Sequence, residues 1–208
     1  MGNKDIVLIG GGGHAFSVAD AIESSLDYSI LGYTDESDLN NGYKYLGTDD
    51  VLTDVFSKCP FAAVGVGFLG KGVVRDQIYT KLKTIGYNLP QIVDESAVIS
   101  KGSRIAEGTF VGKATVINSA AVIGKMCIIN TGAIIEHRCV IGDFTHVAVG
   151  AVVCGEVQVA DHTLIGANST VIQGVRIGAK CIVGAGSIVL GDVPDNTTVI
   201  GVWKGVDG

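Results

Sequence analysis

The hydrophobic pattern of this 208-residue chain changes its period partway along. Up to about residue 90, short apolar runs alternate with segments of helical spacing. "DIVLIG" reads as a buried strand, and in "HAFSVADAIESSL" the apolar positions Phe16, Val18, Ala19, Ile22 and Leu26 predict a helix. "YSILGYTD" reads as a second strand ending in acids, "DDVLTDVF" as a short helix and "FAAVGVG" as another buried strand. "VVRDQIYTKLKTIG" reads as a helix closed by Gly86 as its C-cap. Strand–helix–strand order with short links predicts a small parallel sheet covered by helices.

From about residue 92 the pattern is a strict six. Every sixth position from 93 to 189 is Ile or Val, seventeen in succession, and the residue four places after each is always small (Ala, Ser, Thr, Cys or Val). Neither a helical period of 3.6 nor a strand period of 2 produces this. A six-residue unit with one aliphatic pointing inward and a small residue at the adjoining corner forms one side of a triangle, and three such units complete a coil. Stacked coils pair every backbone group with the coil above and below, as a parallel β-helix does. The expected fold class is therefore mixed: an α/β, Rossmann-like parallel-sheet domain over 1–91, then a β-helix over 92–208 that ends in a short tail. Residues 93–194 supply between five and six coils without an inserted loop.

Composition agrees with many short strands and tight turns: Gly is 30 of 208, while only 17% of residues are charged and 6% aromatic. The net charge of −6 is spread evenly, with 7 basic and 11 acidic side chains up to residue 91 and 8 and 10 after it. No basic stripe is present to neutralise phosphates, so a nucleic-acid partner is not expected. No apolar run reaches the roughly 20 residues needed to span a bilayer, and the N-terminus lacks the apolar segment of an export signal. A cytoplasmic location is the expectation. Five cysteines without a CxxC pair argue against a disulfide framework or a zinc knuckle. Cys127, Cys139 and Cys181 fall in the small-residue register and are expected to pack in the core.

Two features remain once the repeat is subtracted. "IGGGGHA" places Gly10, Gly12 and Ala15 in a G-x-G-x-x-A spacing between a strand and a helix, where backbone amides approach a pyrophosphate. With Asp35 about twenty residues on, a dinucleotide site is one reading. Ninety residues make only half such a fold, however, and a nucleotide-sugar pyrophosphate uses the same chemistry. The second feature is "NTGAIIEHRCVIGDFTHVAVGAVVCGEV", which holds His137 and His146. His137 lies two residues after the inward Ile135, at a corner; His146 directly precedes the inward Val147. His162 is expected to be solvated.

The pattern [Ile/Val]-[small]-x-x-[small]-x resembles the hexapeptide-repeat acyltransferases, whose left-handed β-helices form trimers and bind acyl-CoA between coils. "IGGGGHA", "GYTDES", "VGVG" with Arg75, and the histidine stretch together resemble one branch. That branch comprises bacterial sugar O- and N-acetyltransferases, including enzymes that acetylate nucleotide-linked 4-amino sugars or sialic acid. The resemblance implies that His137 is the general base, and that His146, Ala167 and Ala185 contact acetyl-CoA, the two alanines through their backbone. It also implies that Gly12, Gly13 and His14 contact the sugar nucleotide, Asp35 and Glu36 its base, and Gly67 the ligand's edge. A UDP- or dTDP-linked 4-amino-4,6-dideoxy sugar is the implied substrate, in a homotrimer with active sites between subunits that serves glycan biosynthesis. O-acetylation of a sugar such as sialic acid is the alternative.

This sequence departs from the branch at two places. Arg138 stands where the family has an acid that raises the basicity of the imidazole, so position 138 is a candidate for tuning the base. "GVWKG" replaces a closing "GVPA", which puts Trp203 and Lys204 at the end of the coil. Two other classes stay open at this level. A zinc lyase would need about three convergent histidines, and no metal is expected here. A non-catalytic sugar-nucleotide protein finds its best support in Arg138.

Overall fold

The computed structural model describes residues 4–25, 27–70 and 72–205. They fall into two compact units, the first made of those up to residue 67 together with 73–95 and the second of 68–70 and 72 together with 96–205. Leu26, assigned to the first helix from its spacing, lies outside the described residues.

In the first unit β1 (Lys4–Ile9), α1 (Gly13–Ser25), β2 (Tyr28–Thr34), β3 (Tyr45–Gly47), α2 (Leu52–Phe56), β4 (Ala62–Val64) and α3 (Val74–Ile85) follow one another. The strands build a parallel sheet in the order β3-β2-β1-β4. Four consecutive residues of β1, Ile6 to Ile9, are at most 1% exposed, as a central strand covered on both faces requires. Helix α1 buries Ala15, Val18, Ala19 and Ile22, a strict i, i+3, i+4, i+7 stripe. Phe16 does not belong to it: one residue on from Ala15 rotates its side chain about 100° away, and it is 54% exposed. Helix α3 ends as its sequence requires. Gly86 takes φ +111, and both its N–H and that of Tyr87 donate to the Leu82 carbonyl at 3.0 Å. The "DDVLTDVF" segment opens with a 3₁₀ turn over Asp49–Val51 before α2. Strand β3, which the sequence pattern does not predict, is too short to carry a readable period.

The second unit is a left-handed parallel β-helix of about six turns. Two-residue strands stack coil on coil, as Val116, Ile134 and Val152 do. A first face carries 110–111, 128–129, 146–147, 164–165, 182–183 and 198–199. A second carries 98–99, 116–117, 134–135, 152–153, 170–171, 188–189 and 202–203, and a third runs from 104–105 to 176–177. All fourteen inward aliphatics from Val111 to Val189 are at most 2% exposed. The register of small residues has a polar logic as well. Thr109, Thr145 and Thr163 donate their hydroxyls to the carbonyls of Gly124, Ala160 and Gly178 at 2.7–3.0 Å. The thiols of Cys127 and Cys139 lie 3.1 and 3.0 Å from the carbonyls of Gly142 and Cys154. Corner carbonyls that would otherwise be buried without a donor are thereby satisfied.

From residue 108 to residue 186 every corner is tight enough to place the third residue after the inward aliphatic in the left-handed region. Glycine fills that position at 108, 132, 150, 174 and 186, whereas Arg138 (φ +59), Phe144 (+56), Glu156 (+63) and His162 (+58) adopt it with side chains. Those side chains project outward and stack on one another. His162 is half-buried against Phe144, ring planes 10° apart and centroids 5.0 Å, rather than solvated as its sequence position suggested. The last coil closes on Trp203, which pairs in register with the inward Val189 and donates its indole N–H to the Asp192 carbonyl at 3.1 Å.

Candidate active site

In the first unit a cleft of about 620 Å³ opens at the carboxyl ends of the parallel strands, where β1 has β2 on one side and β4 on the other. That is the point where open α/β sheets hold ligands. Gly12, Gly13, His14, Asp35, Glu36 and Gly67, the six residues implied for substrate, all line it. The glycines divide into two kinds. A side chain on Gly10, which has φ +89, would strike Val66, and one on Gly65 would strike Ala15 and the Gly10 carbonyl. At Gly12 and Gly13 a Cβ would meet nothing within 4 Å. Packing therefore explains Gly10 and Gly65, while Gly12 and Gly13 leave bare backbone facing open space, as close approach of a ligand requires.

Asp35 has a role that its position at a strand end did not reveal. Its Oδ2 accepts the Gly11 N–H at 2.8 Å and its Oδ1 the Glu36 N–H at 2.7 Å, so the carboxylate ties the loop after β2 to the glycine loop after β1. Arg75, 4% exposed, donates from Nη1 to the Val66 carbonyl and fixes the wall after β4. Asp49, Asp50 and Lys81, which sequence reasoning missed, also line the cleft. Thr34 donates to Asp49 at 2.7 Å, and Lys81 pairs with Asp50 at 3.8 Å. Asp49 and Asp50 follow the short strand β3, and no motif announces them. The described sheet has four strands, against the six of a complete dinucleotide fold.

On the β-helix, His137 is exposed at the corner between the second and third faces, in a groove of about 430 Å³. Glu136, Gly155, Glu156 and Gln173 line the same groove. Glu136 reaches the backbone of His137 rather than its ring. Its Oε1 accepts from Asn118 at 3.0 Å and its Oε2 from the His137 backbone N–H at 3.2 Å. Arg138 is directed along the corner to Glu156 one coil on, with 3.4 Å between Nη1 and Oε1. Both side chains are exposed, so the pair adds little to stability, yet it sets an anion beside the cation that replaces the family acid.

His146 is only 7% exposed. Its Nδ1 is 2.6 Å from the Phe68 carbonyl and its Nε2 3.2 Å from Nδ2 of Asn130. A carbonyl only accepts, so Nδ1 carries the proton and Nε2 presents its lone pair to the Asn130 amide. Asn130 is held that way round because its Oδ1 accepts the Thr131 N–H at 2.9 Å. His146 is thus a neutral ring with both nitrogens engaged, whereas His137 stands open to its groove. Ala167 is half-buried and Ala185 exposed on successive coils, joined where the Gly186 N–H donates to the Ala167 carbonyl at 2.8 Å.

The implied site residues of the β-helix do not meet within one chain. Ala167 and Ala185 occupy the corner that precedes the second face, and His137 the corner that follows it. His146 lies on the first face. Cys127, Cys139 and Cys181 are fully buried, and desolvation pushes the Cys139 thiol up to about 11. Among the described residues no three His, Cys, Asp or Glu side chains form a group able to hold a metal ion, and no helix is long and apolar enough to cross a membrane.

Comparison with known proteins gives two family matches: the PglD N-terminal domain over residues 5–82 and the hexapeptide repeat of succinyl-transferase over residues 157–190. Three solved structures resemble nearly the whole chain. The acetyltransferase domain of PglB from Neisseria gonorrhoeae, in complex with acetyl coenzyme A, is 28% identical with a TM-score of 0.88, covering 95% of this chain and 96% of that one. A histidine-to-alanine variant of GDP-perosamine N-acetyl transferase from Caulobacter crescentus, in complex with CoA and GDP-perosamine, is 31% identical with a TM-score of 0.86, covering 94% and 93%. WeeI from Acinetobacter baumannii is 25% identical with a TM-score of 0.82, covering 96% and 97%.

Proposed function

The chain belongs to the left-handed β-helix family of bacterial sugar acetyltransferases, and on that premise we propose that it transfers the acetyl group of acetyl-CoA to the amine of a nucleotide-linked 4-amino-4,6-dideoxy sugar. One observation carries the reading: a single chain combines a strand-end cleft edged by the bare backbone of Gly12 and Gly13 with an exposed imidazole in a groove on the β-helix. The first suits the phosphates and ribose of a nucleoside diphosphate. The second suits proton transfer, because an imidazole nitrogen can accept a proton and give it up again near neutral pH.

In this scheme the sugar amine attacks the thioester carbonyl while His137 accepts its proton. The carbon–nitrogen bond forms, the carbon–sulfur bond breaks, and the CoA sulfur leaves and is reprotonated. Backbone amides of the coil are suited to the oxyanion that develops. His137 is preferred to His146 as the base because both ring nitrogens of His146 are already engaged. A contact between His146 and acetyl-CoA would be made by the narrow edge that remains exposed. The relative that binds GDP-perosamine favours an amine acceptor over the hydroxyl of the sialic acid alternative, and it adds GDP to the UDP and dTDP expected as carriers.

A homotrimer with sites between subunits is part of the same reading. The outward side chains of the second face are Val98, Val116, Ile134, Val152, Thr170, Ile188 and Val202, an apolar stripe in which Val98 is 63% and Val202 59% exposed. His137 borders this stripe on one edge and Ala167 and Ala185 on the other. Apposed copies would therefore bring the imidazole of one subunit to the alanine ladder of the next. Such an enzyme would act in the cytoplasm during glycan assembly.

The test is His137→Ala, assayed by release of CoA thiol with UDP-, dTDP- and GDP-linked 4-amino sugars. Turnover should fall at least about 10²-fold, the usual contribution of a general base. Turnover within a few-fold of the unmodified enzyme on the best acceptor would remove His137 from the reaction.

A further inference from the structure

We propose that Gly155 is a positioning residue for the reaction: the absence of its side chain makes the seat on which the His137 imidazole rests. The inference about packing stands on distances alone, while its catalytic consequence rests on the reading of His137 as the base. Gly155 occupies the position of His137 on the next coil, and it is buried. The Glu156 N–H donates to the His137 carbonyl at 2.9 Å and fixes the two corners against each other. A Cβ on Gly155 would lie 2.6 Å from both Cε1 and Nε2 of His137 and 3.3 Å from Cδ2. These three atoms are the Nε2 end of the ring.

The backbone conformation at this position does not call for glycine. Its backbone is outside the left-handed region, which at this corner is taken by Glu156. The equivalent positions one coil before His137 and one coil after Gly155 are Ser119 and Gln173, so the corner accepts side chains there. Other corner glycines differ. A Cβ on Gly124 or Gly142 would strike the backbone nitrogen of Asp143 or Asp161 at 2.7 Å, so those two are required by the coil itself. At Gly155 the three nearest atoms all belong to one imidazole.

A methyl group there has an inexpensive way out, because the end of a side chain moves more readily than a coil. The ring must swing by about 1 Å to regain ordinary contact, and a displacement of that size at a reacting group costs on the order of 10²-fold in rate. Gly155→Ala should therefore keep the fold and lose the chemistry.

The experiment compares the unmodified protein with Gly155→Ala, His137→Ala and the double variant. Expected for Gly155→Ala are a melting temperature within about 2 °C, KM for both substrates within about twofold and kcat lower by about 10²-fold. In NMR spectra the Cε1–H resonance of His137, identified by its absence in His137→Ala, should shift, while those of His14, His146 and His162 stay in place. Adding Gly155→Ala to His137→Ala should change neither melting temperature nor residual rate. An unmoved His137 resonance, a misfolded Gly155→Ala protein, or kcat within threefold of the unmodified enzyme would overturn the proposal. If His137→Ala itself retained turnover, the base reading would fail, and the resonance shift would still test the seat.

Discussion

Substituting Asp35 tests whether the glycine loop is held in shape for a nucleotide. The carboxylate accepts the Gly11 N–H at 2.8 Å in a partly buried setting and the Glu36 N–H at 2.7 Å in an exposed one. A hydrogen bond to a charged acceptor contributes about 1.5–3 kcal/mol, and partial exposure puts the Gly11 bond at the lower end, about 1.5 kcal/mol. The exposed bond to Glu36 adds a few tenths at most. In Asp35→Ala the loop carrying Gly12 and Gly13 is released, and a ligand must reorder it at its own expense. At about 1.4 kcal/mol per factor of ten, nucleotide affinity should weaken about 10- to 20-fold. Asp35→Asn keeps one oxygen for Gly11 but loses the charge, so about half the energy and a roughly threefold effect are expected. The assay is calorimetric titration with UDP, dTDP and GDP, following whichever binds tightest to the unmodified protein, with acetyl-CoA as a control that should stay within twofold. Affinity unchanged in Asp35→Ala, or Asp35→Asn as weak as Asp35→Ala, would refute the tether.

Val152→Asp places a charge in the middle of the apolar stripe on the second face and should convert a trimer to monomers in sedimentation velocity, with circular dichroism unchanged. A trimer that persists would show that this face is not the contact. Cys139 supplies a pH dependence. Burial raises its thiol from 9.0 to about 11, so between those values the unfolded chain loses this proton while the folded one keeps it. Stability should therefore fall as pH rises from about 9 to 11, and Cys139→Ala should flatten that part of the denaturation profile relative to the unmodified protein. A slope identical in the two proteins would contradict the assignment.

Much of the fold was legible because the β-helix repeats its physics with every side of the coil. One aliphatic must fill the interior and one small residue must fit each corner, so seventeen repetitions left little freedom for another architecture. The choice among Ala, Thr and Cys at the corner looked arbitrary in the sequence. It acquired meaning only from the carbonyls that those hydroxyls and thiols reach on the next coil. Phe16 was misassigned because apolar identity alone does not distinguish two neighbours on a helix, and β3 escaped because so short a strand carries no period. In the candidate site, Gly12, Gly13 and His137 stood out as departures from local pattern. Asp49, Lys81 and the tether from Asp35 to Gly11 did not, since each depends on which strand ends the sheet order brings together.

The sequence by itself determined the period, and with it the coil, the inward register, the corner cysteines and the two places where chemistry interrupts the repeat. Those are local properties, fixed by side-chain size and spacing within one turn of the solenoid. Tertiary structure decided what lies far apart along the chain, by about one coil or by many, yet touches in space. It engaged both nitrogens of His146, turned Arg138 toward Glu156, and set the imidazole of His137 over the bare backbone of Gly155. No spacing rule carries that last contact, because its cause is an atom that glycine does not have.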